Sequence, residues 1–295
     1  QIGLRTIARH AKRFWYGSTC SGWEHTVTQK NLYDISWTDV PVYICNRNRL
    51  DGGFRRLVEW LLKIGMTKVI VIDNQSTFPP LLAFYKEMAS KIDVRVQDSN
   101  IGPRGFWEKK QYHTTIDTPY LYTDCDLVPA DTCPDDVIEK MLVTLGKAEP
   151  PTENGGRKVG VSLRIDNIPD HFCKKDMVVK WESQFWHGDR VPYADAVYAS
   201  VDTTFAMYHP KQNFTYTAMR LDAPYSFEHV PWYSDESKPT EEDTFYKEHY
   251  ETAHEGGQLW KSNVGGWSLY GWSVRSKESL ESTFKVRGYD VLERI

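Results

Sequence analysis

The apolar positions fall into a regular rhythm from residue 40 onward. Val40-Pro41-Val42-Tyr43-Ile44-Cys45 is a short, mostly apolar run that predicts a strand, and Asn46-Arg47-Asn48-Arg49 is its polar exit. Phe54, Leu57, Val58, Leu61 and Leu62 follow at helical spacing, and Gly65 stands where that helix would stop. Lys68-Val69-Ile70-Val71-Ile72 predicts a second strand, with Asp73-Asn74-Gln75-Ser76-Thr77 as its exit. Pro79-Pro80 open a helix expected to carry Leu81, Leu82, Tyr85 and Met88 on one side. Asp93-Val94-Arg95-Val96-Gln97 predicts a third strand, ending in Asp98-Ser99-Asn100-Ile101-Gly102. A short helix is expected over 105–115, then a fourth strand at Tyr120-Leu121-Tyr122-Thr123. A further helix starts at Pro134 with Val137, Ile138, Met141, Leu142 and Leu145 on its apolar side.

Strands that alternate with helix-sized connections imply a largely parallel sheet with helices on both faces, an α/β fold. Ligands of such sheets bind beyond the carboxyl ends of the strands, where all four polar exits fall. The second half is less regular. Val159–Ile165 and Val201–Tyr208 each read as a strand, with an aromatic stretch from Trp181 to Tyr198 between them. Glu241-Glu242-Asp243 opens a helix expected to run through Tyr250, and the tail from about residue 255 is rich in Gly and Trp. The expected organisation is an N-terminal extension over 1–38, basic at Arg5, Arg9, Lys12 and Arg13, followed by one domain over 39–295 with a regular half, 39–130, and a less regular half, 131–295.

Composition narrows the function. The chain has 295 residues, 40% hydrophobic and 26% charged, which reads as a soluble globular protein with ample core. A net charge of -4 without a long basic block argues against nucleic acid as the main partner. No apolar run reaches the roughly 18 residues needed to span a bilayer. Peripheral membrane association through a segment upstream of Gln1 stays open. The five cysteines lack C-x-x-C spacing, which favours a reducing compartment over a disulfide framework. The expected location is the cytoplasm or the cytoplasmic face of a membrane. Of the two N-x-S/T sequons, Asn74 lies in a strand exit where a glycan would block the cleft. With 11 Trp and 17 Tyr the chain has many amphipathic faces, which suit sugar rings as well as a core.

The sharpest chemical signal is Asp124-Cys125-Asp126 at the exit of the fourth strand. Two carboxylates one residue apart can hold a hard divalent cation, Mn²⁺ or Mg²⁺, and leave room for a phosphate-bearing substrate. Arg47, Arg49 and Arg104 can fork onto diphosphate oxygens. Trp186, Trp232, Tyr233 and Trp267 are candidates for stacking on an acceptor.

Taken together, these motifs resemble the GT-A fold glycosyltransferases, in their broad family-2-like group, over about residues 40–250. Val42–Arg47 is similar to the opening strand whose exit, with Cys45, Asn46 and Arg47, lies under the nucleotide. Asp73-Asn74-Gln75-Ser76-Thr77 resembles the D-D/N-x-S-T exit, and Asn100-Ile101-Gly102 the N-x-G turn. Asp124-Cys125-Asp126 matches D-x-D. The family's glycine-rich stretch before an acidic pair is absent, and Arg220 to Tyr233 stands in its place.

The resemblance implies one catalytic domain over 39–295, with 39–130 as its nucleotide-binding half and 131–295 as its acceptor-binding half. It also implies transfer of a sugar from a nucleotide-sugar donor, with UDP expected, to a glycan or lipid-linked saccharide, by an inverting single displacement. It places Asp73, Asn74, Ser76, Asn100, Gly102, Arg104, Asp124 and Cys125 around the donor, and Asp124, Asp126 and a late histidine, His229, on the metal. The general base would be Asp243 or Glu242, with Asp222 and Asp202 as rivals. Two other classes share the architecture. A sugar-phosphate nucleotidyltransferase wants a Gly-rich loop where Cys45–Arg49 stands, and a non-catalytic carbohydrate-binding module would not need the acidic pair.

Overall fold

The protein is described by a computed structural model over residues 33–148 and 157–249, all within one compact unit. The tail with Trp267, and the extension up to residue 32, lie outside the described residues. The strands are β1 (Val42–Asn46), β2 (Val69–Asp73), β3 (Asp93–Val96), β4 (Tyr120–Asp124), β5 (Leu127–Pro129), β6 (Lys158–Gly160), β7 (Ser162–Leu163), β8 (Ala196–Ser200), β9 (Ala206–Tyr208), β10 (Thr217–Leu221) and β11 (Ser226–His229). The helices are α1 (Phe54–Lys63), α2 (Pro79–Glu87), α3 (Gly105–Glu108), α4 (Val137–Lys147), α5 (Lys175–Ser183) and α6 (Glu241–His249).

Across the main sheet the order is β3, β2, β1, β4, β9, β6, β10, β8. β3, β2, β1 and β4 pair in parallel. β9 runs antiparallel to both β4 and β6, which restores the original direction to β6 and to β10 beside it. β8 closes the far edge antiparallel to β10. The carboxyl ends of β1, β2, β4, β6 and β10 therefore open on one edge.

The apolar runs of β1, β2 and β4 are buried on both faces because both are covered. Val42, Ile44, Val71 and Leu121 face one way, onto Leu57 and Leu61 of α1, Leu81 of α2 and Met141 of α4. Tyr43, Cys45, Ile70, Ile72, Tyr120 and Tyr122 face the other way, onto Phe106 and Trp107 of α3. Gly65, at φ +93, takes the left-handed turn that ends the first helix, as its position predicted.

Several expectations are corrected. The run 159–165 is two short strands in two sheets, because the chain breaks after Gly160 and β7 joins a second sheet, β5-β11-β7. Of the strand expected over 201–208 only β9 forms. Residues 202–204 leave the ladder, while the Val201 N–H still donates to the Tyr216 carbonyl at 2.9 Å and Val201 packs into the second core cluster. The helix expected over 105–115 is one turn, α3, followed by a 3-10 turn at Tyr112–Thr115. Leu82 is 37% exposed rather than on the buried side of α2. The short strands β5 and β11 carry no alternation long enough to read, and they shape the site.

Candidate active site

Two strand exits build the first wall by bonding to each other. Asn48, in the left-handed region at φ 52, accepts at Oδ1 from the Thr77 and Phe78 N–H groups (2.6 and 3.0 Å), and its own N–H donates to Ser76 Oγ (2.8 Å). Asp73 is buried and accepts at Oδ1 from the Ser76 N–H and at Oδ2 from the Tyr85 hydroxyl, both at 2.8 Å. Asn46 donates to Tyr85 Oη (3.1 Å) and to the Arg49 carbonyl (2.9 Å). Asn74 is 2% exposed, donates to Cys45 Sγ (3.3 Å) and accepts from the Ile101 N–H (3.1 Å). Asn46, Asp73, Asn74 and Ser76 thus hold the rim together, and a glycan at Asn74 has no room. Gly102 donates to Asn100 Oδ1 at 2.9 Å and closes the third exit. Arg47 is half-buried and donates to the Asn74 carbonyl at 2.9 Å. Arg104 lies 45% exposed beside Glu108 and over the Phe214 ring at 5.2 Å.

The acidic turn lies between β4 and β5. Gly53 makes its approach possible, since at φ +128 a Cβ there would stand 2.8 Å from the Asp126 Cα. Antiparallel pairing of β11 with β5 sets His229 opposite Leu127, and the Val230 N–H donates to the Asp126 carbonyl at 2.8 Å. That register places His229 Nε2 3.4 Å from Asp126 Oδ2. Burial works against charge on Asp126, but the His229 imidazole and then the Arg49 guanidinium outweigh it and hold the carboxyl below its usual value. Asp126 Oδ1 is buried without a hydrogen-bond partner among the described residues. Asp124 is held differently. Its N–H donates to the Thr203 carbonyl (3.0 Å), and Thr203 Oγ1 donates to its Oδ2 (2.5 Å). Burial, and then the neighbouring Asp126 charge, push the Asp124 carboxyl well up; the Thr203 hydroxyl and the Lys158 ammonium oppose this without prevailing.

A carboxylate oxygen with no donor, beside an imidazole nitrogen, is a donor set that fits Mn²⁺. Among the described residues no three His, Cys, Asp or Glu side chains converge tightly enough to form a complete cage. Any cation held there would need oxygens from a substrate.

The four candidate bases separate by their bonds. Glu242 is 4% exposed, and its carboxylate accepts from the N–H groups of Leu50 (2.6 Å), Asp51 (2.7 Å) and Gly52 (3.1 Å) as well as from Arg49 (3.4 Å). Every lone pair is committed to the loop before α1, so Glu242 is a clamp, not a proton acceptor. Asp243 accepts from Arg49 (3.1 Å) and from the Thr240 N–H and hydroxyl (3.1 and 2.8 Å), while its own N–H returns to Thr240 Oγ1. That is a reciprocal helix cap. Asp222 is ion-paired with Arg190. Asp202 is exposed, its carboxylate has no partner among the described residues, and its charge is felt at both Asp124 and Lys158.

Of the proposed acceptor residues, Trp232 is 3% exposed and braces the His229 ring edge-on at 4.8 Å, so it presents no face to a sugar. Trp186 is half-buried and donates to the Leu163 carbonyl at 3.2 Å. Tyr233 donates to Asn167 Oδ1 at 2.6 Å. Thr203, Lys158, Glu182 and Arg220 were missed. No spacing or motif sets any of them apart from its sequence neighbours. Glu182 and Arg220 form a buried pair at 2.5 Å; burial raises the Glu182 carboxyl, and Arg220 and then His229 oppose the rise.

No protein-family model matches the chain, and no curated protein does. Among solved structures it is similar to S. aureus TarS residues 1–349, at 12% identity over 77% of this chain and 76% of that one, with a TM-score of 0.38. TarS 1–349 in complex with UDP gives 12% identity, coverage of 83% and 78%, and a TM-score of 0.40. Glucosyl-3-phosphoglycerate synthase from Mycobacterium tuberculosis, in complex with Mn²⁺, UDP-glucose and glycerol 3-phosphate, gives 11%, 65% and 63%, and 0.33. Superposition this loose bears on neither mechanism nor substrate, and the reading of the site rests on its own geometry. On that geometry the chain is an α/β protein with a mostly parallel sheet, whose Asp126 and His229 pair at the carboxyl edge while the Asp126 charge is felt at Asp124.

Proposed function

We propose that the chain is a metal-assisted glycosyltransferase of the GT-A kind, family-2-like, moving a sugar from a nucleoside diphosphate donor to a hydroxyl of a saccharide or glycolipid. One observation carries the reading. The Asp126–His229 pair, with an unmatched carboxylate oxygen, stands beside Asp124 at the edge where β1, β2 and β4 end. Asp126 and His229 would hold a Mn²⁺ or Mg²⁺ ion, with Asp124 beside them. Such an ion supplies positive charge to the departing diphosphate. Arg47 reaches from the β1 exit toward the same edge and is suited to a phosphate or ribose oxygen.

Asp202 is the carboxylate left open to take a proton. In the reaction an acceptor oxygen bonds to the anomeric carbon, the bond from that carbon to the phosphate oxygen breaks, and the hydroxyl proton passes to Asp202. The nucleoside diphosphate leaves with the bonding pair, and a single displacement inverts the centre.

The test is thermal melting with uridine diphosphate, with Mn²⁺, and with both. At saturation both together raise Tm by on the order of 5 °C, each alone far less. Asp126→Ala removes the shift and the release of nucleoside diphosphate from UDP-sugars. Normal transfer by that variant would refute the metal site. A shift without turnover against any saccharide would point instead to a binding module.

A further inference from the structure

Lys158 opens β6 at 0% exposure, and among the described residues no carboxylate lies within ion-pair distance of it. Its Nζ donates to three backbone carbonyls, Val201 at 2.7 Å, Asp202 at 2.8 Å and Thr215 at 3.0 Å. Three acceptors around one nitrogen call for three N–H donors, which only the ammonium has. The rings of Tyr208 and Phe214 lie 4.8 and 5.1 Å away and favour the same charge. A buried ammonium is costly, and a methionine would fill the space without that cost. The reason for the charge lies in what it holds.

It holds the segment 201–203 where the chain turns out of the ladder. The end of the segment is Thr203, whose carbonyl and hydroxyl grip Asp124 at 3.0 and 2.5 Å. Thr203 spends its hydroxyl on Asp124 Oδ2 and so sets the rotation of the carboxylate. We propose that Lys158 and Thr203 are positioning residues that fix Asp124 for a divalent cation, Lys158 by pinning the segment and Thr203 by orienting the carboxylate. The inference rests on the reading of Asp124 as part of a cation site. Partners behind a ligand carboxylate commonly govern affinity in this way.

The experiment is titration of Mn²⁺ into the full chain, with and without uridine diphosphate, following the free-ion electron paramagnetic resonance signal. Thr203→Val keeps the backbone bond to Asp124 and deletes only the hydroxyl. It is expected to weaken Mn²⁺ binding by about 10- to 100-fold with Tm little changed. Thr203→Ser, which restores the hydroxyl, recovers most of the affinity, and recovery by serine is a result that mere loss of packing would not give. Lys158→Met is expected to match the valine variant; if it does not fold, the valine and serine pair decides. Wild-type affinity in folded Thr203→Val overturns the positioning role while leaving the cation site in place. Absence of Mn²⁺ binding by the wild type overturns both.

Discussion

Four acids could take the proton of an acceptor hydroxyl, and their hydrogen bonds rank them. Glu242 closes three backbone N–H groups and Asp243 closes a helix cap, so both are spent on structure. Asp202 has its carbonyl tied to Lys158 and its carboxylate open. Asp202→Asn should lower kcat by about 10²- to 10⁴-fold with little change in Tm or in Mn²⁺ affinity. Turnover at the wild-type rate would move the base elsewhere. Glu242→Ala should instead destabilise the fold, by on the order of 3 kcal/mol in urea unfolding, because it strands the N–H groups of Leu50, Asp51 and Gly52. The two acids are both in the sequence as plain candidates, and only their bonding tells them apart.

At the scale of elements, the small sheet matters most. β11 pairs with β5 on one side and β7 on the other, and the first pairing decides that His229 meets Asp126. β10 contributes Arg220, whose Nε donates to the Val161 carbonyl at 3.3 Å while its guanidinium pairs with Glu182 of α5. Arg220→Met alone should cost about 3–5 kcal/mol in denaturant unfolding, since it leaves a buried carboxylate alone. Replacing both partners by Met and Leu should recover most of that loss. If the double variant is no better than the single, the buried charge is not what the pair compensates. The strands β1, β2 and β4 are legible as continuous apolar runs, and the helices α1 and α2 because burial repeats along them every three to four residues. β5 and β7, of three and two residues, are too short to show a period, and β7 merges with β6 in the single strand expected over 159–165.

For the molecule as a whole, Lys158 gives stability a pH signature. Burial pulls its ammonium from the ordinary 10.5 down to about 7. Below about 7 both the folded and the unfolded chain carry the proton, and the fold bears the full cost of the buried charge. Between about 7 and 10.5 the unfolded chain keeps a proton that the folded chain has released, giving up one of the three Nζ donations, so stability from this group rises with pH across that window. Urea midpoints of the wild type should therefore gain on those of Lys158→Met from about pH 7 to about pH 10. A gap that narrows over that range would show that the ammonium is not destabilised in the fold. No helix among the described residues is long and apolar enough to cross a membrane.

The sequence by itself determined the alternation of strands and helices from residue 40 to 145, the mostly parallel sheet, and the acidic pair at a strand exit. These are local properties, written in residues a few positions apart. Tertiary structure decided which acids are spent on the fold and which histidine faces the acidic turn. Glu242 bonds to Leu50 across 192 positions and Thr203 to Asp124 across 79, and no local period records such meetings. They follow from how the sheet edge folds back on itself, where a carboxylate becomes a clamp or a reactive group according to the donors that reach it.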